Sequence, residues 1–321
     1  MDYESYQLHN GIRVIHKFIP NMVSHCGIII NAGSRDENSA EHGLAHFIEH
    51  VIFKGTKKRR AHHILARLED VGGEINAYTT KEETCVYTSF MYRDYERAIE
   101  LLTDIVFHSV FPDKELEREK EIVYDEINSY KDSPSELIFD DFDELLFRNN
   151  PMGRSILGTK KTVRSFSREK INQFITNNYK TDEIVISSVG NIRFNRLLRL
   201  INKHFADIPA NTGRKNRKLL SSYSPEQHEL KKRTYQTHCV IGNLAYSLKH
   251  DNRLGMYLLN NLLGGPGLSS RLNMSLREKN GYSYNTESNY TPYSDTGAFS
   301  VYFGTDKHNL DKSMNLVLKE F

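Results

Sequence analysis

Between Gly43 and Phe53 the chain reads Gly-Leu-Ala-His-Phe-Ile-Glu-His-Val-Ile-Phe, a stretch that is apolar on nearly every side when wound as a helix. A helix of that kind is buried, so the fold must build a core around it. His46 and His50, at i and i+4, then stand one above the other, and Glu49 borders the same face. Two imidazoles and a carboxylate in an apolar core are costly without a strong partner. A divalent metal is such a partner, since it takes the lone pairs of neutral imidazoles. The blander reading makes them core histidines satisfied by hydrogen bonds, with Glu49 in a salt bridge. The order H-x-x-E-H on one buried helix favours the metal. His42, one turn before His46, competes as a ligand, and His62-His63 reads as a surface pair.

A catalytic zinc takes three protein ligands and keeps one position open. The helix expected over 113–131 carries Glu119 and Glu126, seven residues apart on the face it should bury. Ile122 lies on one side of them, and Leu116, Val123, Ile127 and Tyr130 lie on the other. Glu115, Glu117, Glu121 and Asp125 mostly fall elsewhere, as solvated charge. A carboxylate among apolar neighbours needs a cation, but spacing does not choose between Glu119 and Glu126.

The surrounding pattern predicts an α+β fold. Strands are expected over 11–18 and 23–30, then a helix over 39–53 and a helical stretch over 61–70 ending at Gly72-Gly73. Strands 74–80 and 84–91 follow, then helices over 93–108 and 113–131 and a long helical region filling most of 135–178. After a strand at 184–189, one more helix runs to residue 206 and completes a first domain, 1–210. Residues 211–232 turn to Pro, Asn, Gly, Ser, Lys and Arg with little apolar periodicity and read as a linker. Beyond it, Ser24-His25-Cys26 recurs as Thr237-His238-Cys239, each opening a β-rich run followed by an apolar helix and a double glycine. The second domain, 233–321, therefore reads as the first beginning again, and it is expected to be incomplete.

The chain's 321 residues leave room for both domains. The 43 Lys and Arg against 41 Asp and Glu leave a net charge of +2, a bias that argues neither for nor against a charged partner. The basic runs Lys57-Lys58-Arg59-Arg60 and Arg214-Lys215-Asn216-Arg217-Lys218 are short, far apart and without interleaved aromatics, so nucleic acid is not expected. No stretch approaches the ~18 apolar residues of a membrane span. The three cysteines make no disulfide framework, and the N-terminus has neither a basic n-region nor an apolar h-segment. A cytoplasmic protein is expected.

Gly33-Ser34-Arg35-Asp36-Glu37, then Gly43 to His50 and Phe53-Lys54-Gly55-Thr56, resemble the pitrilysin/insulysin peptidases, an inverzincin family. The most similar branch is the one containing the β-subunit of the mitochondrial processing peptidase and its bacterial relatives. Gly73-Glu74-Ile75-Asn76-Ala77-Tyr78-Thr79, Asn150-Pro151-Met152-Gly153-Arg154 and Ser188-Val189-Gly190-Asn191 agree as well. So do Leu263-Gly264-Gly265, Ser269-Ser270-Arg271-Leu272, and Leu276-Arg277-Glu278-Lys279 with Gly281 and Tyr284. The resemblance runs in order over essentially the whole chain.

It implies a zinc metalloendopeptidase with one zinc per chain. The family's distal glutamate ligand lies 76 or so residues after the second histidine, where Glu126 stands. His46, His50 and Glu126 would then hold the metal, Glu119 would orient a ligand and Glu49 would be the general base. The resemblance also implies two related α+β halves facing each other like a clamshell. Aligning His25 with His238 puts Leu259, Leu262 and Leu263 at the places of His46, Glu49 and His50, so the second half would lack the metal site. A peptide substrate would add to the edge strand at 74–80 and contact Asn76 and Ala77, and Arg277 and Tyr284 would reach its carbonyl. The family's members pair as homodimers or as heterodimers with a related inactive subunit. The rival reading, that this chain is itself the non-catalytic partner, sits poorly with an intact zinc motif. A purely structural zinc would favour cysteines, and no cysteine pair is available.

Overall fold

The computed structural model describes residues 3–213, 217–220 and 223–321. Parts of the expected linker, and Arg214, Lys215 and Asn216 of the second basic run, lie outside the described residues. The chain divides into two compact units, Met1–Ile127 with Ser155–Arg217, and Asn128–Arg154 with Lys218–Phe321. Among the described residues no helix is long and apolar enough to cross a membrane.

The first unit is built on a six-stranded mixed sheet. Its first strands are β1 (Glu4–Gln7), β2 (Arg13–Phe18) and β3 (Val23–Ile30). Helices α1 (Leu44–Val51) and α2 (Ala61–Glu69) come next, then strands β4 (Glu74–Thr79) and β5 (Thr84–Met91). Helices α3 (Tyr95–His108) and α4 (Asp113–Asp132) follow. Helix α5 (Pro134–Leu146) belongs to the second unit, and α6 (Lys160–Arg164) and α7 (Arg168–Asn178) return to the first. Strand β6 (Ile184–Gly190) and helix α8 (Phe194–Phe205) complete it. The sheet order is β1-β2-β6-β3-β5-β4, with only the β2–β6 pair parallel.

Alternation explains the central strands. In β6, Ile184, Ile186 and Ser188 are buried while Val185 and Ser187 between them are half-buried. Helix α8 buries Leu197, Ile201 and Phe205 at a spacing of four. Helix α1 is enclosed: Leu44, Phe47, Ile48 and Val51 are fully buried, and Phe47 packs on Phe166 with ring centroids 5.4 Å apart. Each such side chain contributes roughly 1.5–3 kcal/mol by leaving water.

Two expected helical regions are refined, and one strand is unexpected. The helical region expected over most of 135–178 is three helices with turns between them. Asn149 adopts a positive φ of 59°, Pro151 opens a 3-10 turn at Pro151–Gly153, and Thr159 and Ser167 each cap a fresh start. The metal-motif helix begins at Leu44 rather than 39, because Gly43 has a φ of +91°. A Cβ there would lie 2.7 Å from both Leu157 O and Gly158 Cα, so only glycine fits where these two loops meet. Strand β1 escapes sequence reasoning, since Glu-Ser-Tyr-Gln is exposed throughout and shows no alternation.

The second unit has strand β7 (Thr237–Ala245), helix α9 (Arg253–Gly264), a π-helical turn Asn273–Glu278, strands β8 (Ser283–Pro292) and β9 (Gly297–Thr305), and helix α10 (Leu310–Glu320). Its sheet order, β7-β9-β8, repeats β3-β5-β4 of the first unit. The succession β7, α9, β8, β9, α10 likewise repeats β3, α1, β4, β5, α3, so the two units are related α+β structures. A boundary at residue 210 keeps α5 with the first domain, whereas the compact units place it in the second. Phe142, Leu146, Phe147 and Met152 pack there with Leu244, Tyr293 and Ala298.

Candidate metal centre

Helices α1 and α4 bring His46, His50 and Glu126 together. Their ligand atoms lie within 4.8 Å of one another, and theirs is the one such cluster found among the described residues. The Nε2 atoms of His46 and His50 stand 3.6 and 3.4 Å from the same Glu126 Oε2. The rings are edge-on, with centroids 4.6 Å apart at 70°. Glu126 Oε2 is buried and has no hydrogen-bond partner. A buried carboxylate oxygen left unsatisfied opposite two ring nitrogens calls for a cation. Two nitrogens and one carboxylate are the donor set of a catalytic zinc, and these residues fit that ion.

The charges agree. Burial and the neighbouring His50 push His46 down to about 4, against Glu126, so its ring is neutral and ready as a ligand. Burial would lower His50 too, but Glu119 and Glu126 outweigh it and raise that ring to about 9. His50 in turn holds Glu126 below the usual carboxylate range against the effect of burial. Only neutral imidazole coordinates a metal, so ligation by His50 works against the carboxylates that raise it and releases a proton.

Glu119 is 4% exposed and lies on the other side of the His50 ring. Its Oε2 is 3.4 Å from His50 Nδ1, and its Oε1 is 2.7 Å from Lys54 Nζ. Burial would raise this carboxyl, but His50 and Lys54 overcome it and hold it below its ordinary range. The buried face of α4 carries Leu116, Glu119, Lys120, Val123 and Ile127, whereas Ile122, placed beside the glutamates by its spacing, is 49% exposed. His42 does not join the cluster. Its Nε2 is 2.8 Å from Ser155 O, in the loop that faces Gly43.

Glu49 is half-buried on α1. Burial lifts its carboxyl above the usual range. Thr79, at the end of β4, opposes the shift without the alignment of a full hydrogen bond. Strand β4 pairs with β5 on one side, and among the described residues no strand pairs with its other edge. Asn76 and Ala77 sit in the middle of it, and Asn76 Oδ1 accepts the Ala77 N–H at 2.8 Å. In the second unit, the structure brings Arg277 and Tyr284 together. The guanidinium carbon lies 5.7 Å from the centre of the Tyr284 ring, within cation–π range, and the phenol is 83% exposed.

Two residues that spacing alone passes over also shape this site. Lys54 is the first cation after His50. Glu37 is 3% exposed, and its two carboxylate oxygens accept the N–H groups of Gly43 at 2.9 Å and Ala45 at 2.8 Å. It thereby caps the helix that carries the histidines. Hydrogen bonds to a charged acceptor are the stronger kind, so Glu37→Ala should cost about 2 kcal/mol or more of folding free energy. Chemical denaturation of the metal-free protein measures it, and an unchanged midpoint would remove Glu37 from this role.

Residues 13–160 match the insulinase (peptidase family M16) domain, and residues 165–321 match the peptidase M16 inactive domain. The chain is 34% identical over 308 residues to the uncharacterized zinc protease YmxG of Bacillus subtilis, a match covering 96% of this chain and 75% of that one. It is 32% identical to an uncharacterized zinc protease of Rickettsia bellii, with 95% of this chain and 74% of that one covered. Two crystal structures share the fold. A peptidase M16 inactive domain from Pseudomonas fluorescens superposes with a TM-score of 0.93 at 20% identity, over 100% of this chain and 78% of that one. A protease from Helicobacter pylori gives 0.90 at 22% identity, over 99% and 79%. With both domain types matched in order and a relative 34% identical over 96% of this chain and 75% of its own length, the chain belongs to peptidase family M16.

Proposed function

We propose that the chain is a zinc metalloendopeptidase acting on peptides or unfolded polypeptides. The observation that carries this reading is the cluster of His46, His50 and Glu126, in which the buried Glu126 Oε2 makes no hydrogen bond and faces the Nε2 atoms of both histidines. A zinc ion held by these three residues would acidify a bound water and polarise the scissile carbonyl. Glu49, with its carboxyl pushed up by burial, takes the proton from the water and hands it to the leaving amine. The open edge of β4 accepts the peptide as an added strand, with Asn76 and Ala77 against its backbone. Asn76 must release the Ala77 N–H for that. Arg277 and Tyr284 are the donors we assign to the substrate carbonyl, and Glu119 orients His50. One zinc per chain, a cytoplasmic setting, and pairing with a second copy or a related inactive subunit complete the proposal.

Hydrolysis of a quenched fluorescent peptide tests it. Activity should vanish with a chelator and return with added zinc, whereas cleavage that survives metal removal would refute the reading. In the same assay, Tyr284→Phe should lower kcat on the order of 10²-fold and raise KM less, since a donor to the carbonyl oxygen matters most as charge develops there. An unchanged kcat would take Tyr284 out of the mechanism.

A further inference from the structure

His50 and His46 are held differently. The second nitrogen of His46, Nδ1, is buried without a hydrogen-bond partner. The second nitrogen of His50 faces Glu119 Oε2 at 3.4 Å, and Lys54 Nζ holds the other oxygen of that carboxylate at 2.7 Å. A neutral imidazole carries one N–H, and which nitrogen bears it depends on what the other nitrogen meets. With Nδ1–H directed at Glu119, the Nε2 lone pair of His50 points at the place where Glu126 and His46 converge. A glutamate side chain with three rotatable bonds does this reliably only when its orientation is fixed. The Glu119 side chain is 5% exposed and that of Lys54 is 29% exposed, so the ammonium reaches a buried carboxylate from the rim of the site.

Resting on the metal reading above, we propose that Lys54 is a positioning residue for the metal centre. It clamps Glu119 Oε1, so that Oε2 stays on His50 Nδ1 and the His50 ring presents Nε2 to the ion. Lys54 touches neither the ion nor the substrate and acts wholly through Glu119. Its effect must therefore depend on Glu119 being present, which a bystander ion pair would not require. An arginine can make the same charged contact, while a methionine of similar length cannot.

The test is zinc affinity of the full chain, measured by competition with a chromophoric chelator. The variants are Lys54→Met, Lys54→Arg, Glu119→Gln and the double variant Lys54→Met/Glu119→Gln. Lys54→Met should bind zinc ~10-fold more weakly, in the range found when partners of metal ligands are removed. Lys54→Arg should return close to wild type, and the double variant should be no weaker than Glu119→Gln alone. The visible spectrum of the cobalt-loaded protein adds a second readout, because a turned His50 ring alters the ligand field. Wild-type affinity in Lys54→Met, an unchanged cobalt spectrum, or losses that multiply in the double variant would overturn the proposal. A wild-type chain that binds no zinc would fell the metal reading and this proposal together, whereas normal zinc binding with an indifferent Lys54 would fell only the latter.

Discussion

Glu49→Gln is expected to bind zinc as the wild type does and to lose turnover by ~10²-fold or more. The substitution keeps the shape of the side chain and removes only its capacity to accept and return a proton. Glu49 lies outside the ligand cluster of His46, His50 and Glu126, so metal affinity has no reason to change. It interacts with His50 and Glu126 of the cluster and with Thr79 at the end of β4. A carboxyl raised by burial has a pKa nearer the working pH, which favours proton transfer in both directions. Zinc content and peptide hydrolysis measured on the same preparation separate the possibilities. Near-normal turnover would show that another group moves the proton, and lost zinc would show that Glu49 is part of the ligand set.

Glu126→Gln should lose the metal. Glu126 supplies the only carboxylate oxygen that both Nε2 atoms approach, and an amide there offers no negative charge to balance a dication. Glu119→Gln should retain zinc with an affinity ~10–100-fold lower, because it removes a group that orients His50 rather than a ligand. His50 still has Glu119 beside it in Glu126→Gln, so the fold should persist without metal. Metal analysis after dialysis reads both variants. Equal zinc in wild type and Glu126→Gln would hand the third ligand to Glu119 or His42.

Several parts of this structure could be read from residue order because they depend on local chemistry. Strand β3, strand β5 and helix α4 fall within a residue of their expected positions, since apolar spacing and flanking turns mark their ends. The start of α1 is missed because Gly43 adopts a left-handed φ that is set by a loop more than 100 residues further on, at Gly158. Helix α5 is assigned to the first domain because its apolar partners, Leu244 and Tyr293, are distant in sequence. His46, Glu49 and His50 stand out because one buried helix carries all three. The choice between Glu119 and Glu126 cannot come from spacing, as both point inward from α4. It depends on which side of the His50 ring each carboxylate meets, Nδ1 or Nε2, and that is a matter of how two helices pack. Glu37 and Lys54 are hidden for the same reason, since their roles exist only once a loop folds back onto α1 or a lysine reaches α4.

The most direct test of the site is a crystal soaked in zinc, with anomalous differences collected at the zinc edge. The account predicts one peak per chain in the first unit, about 2.0–2.2 Å from the Nε2 atoms of His46 and His50 and from an oxygen of Glu126. A peak coordinated by Glu119 or His42 in place of Glu126, or no ordered zinc between α1 and α4, would contradict it.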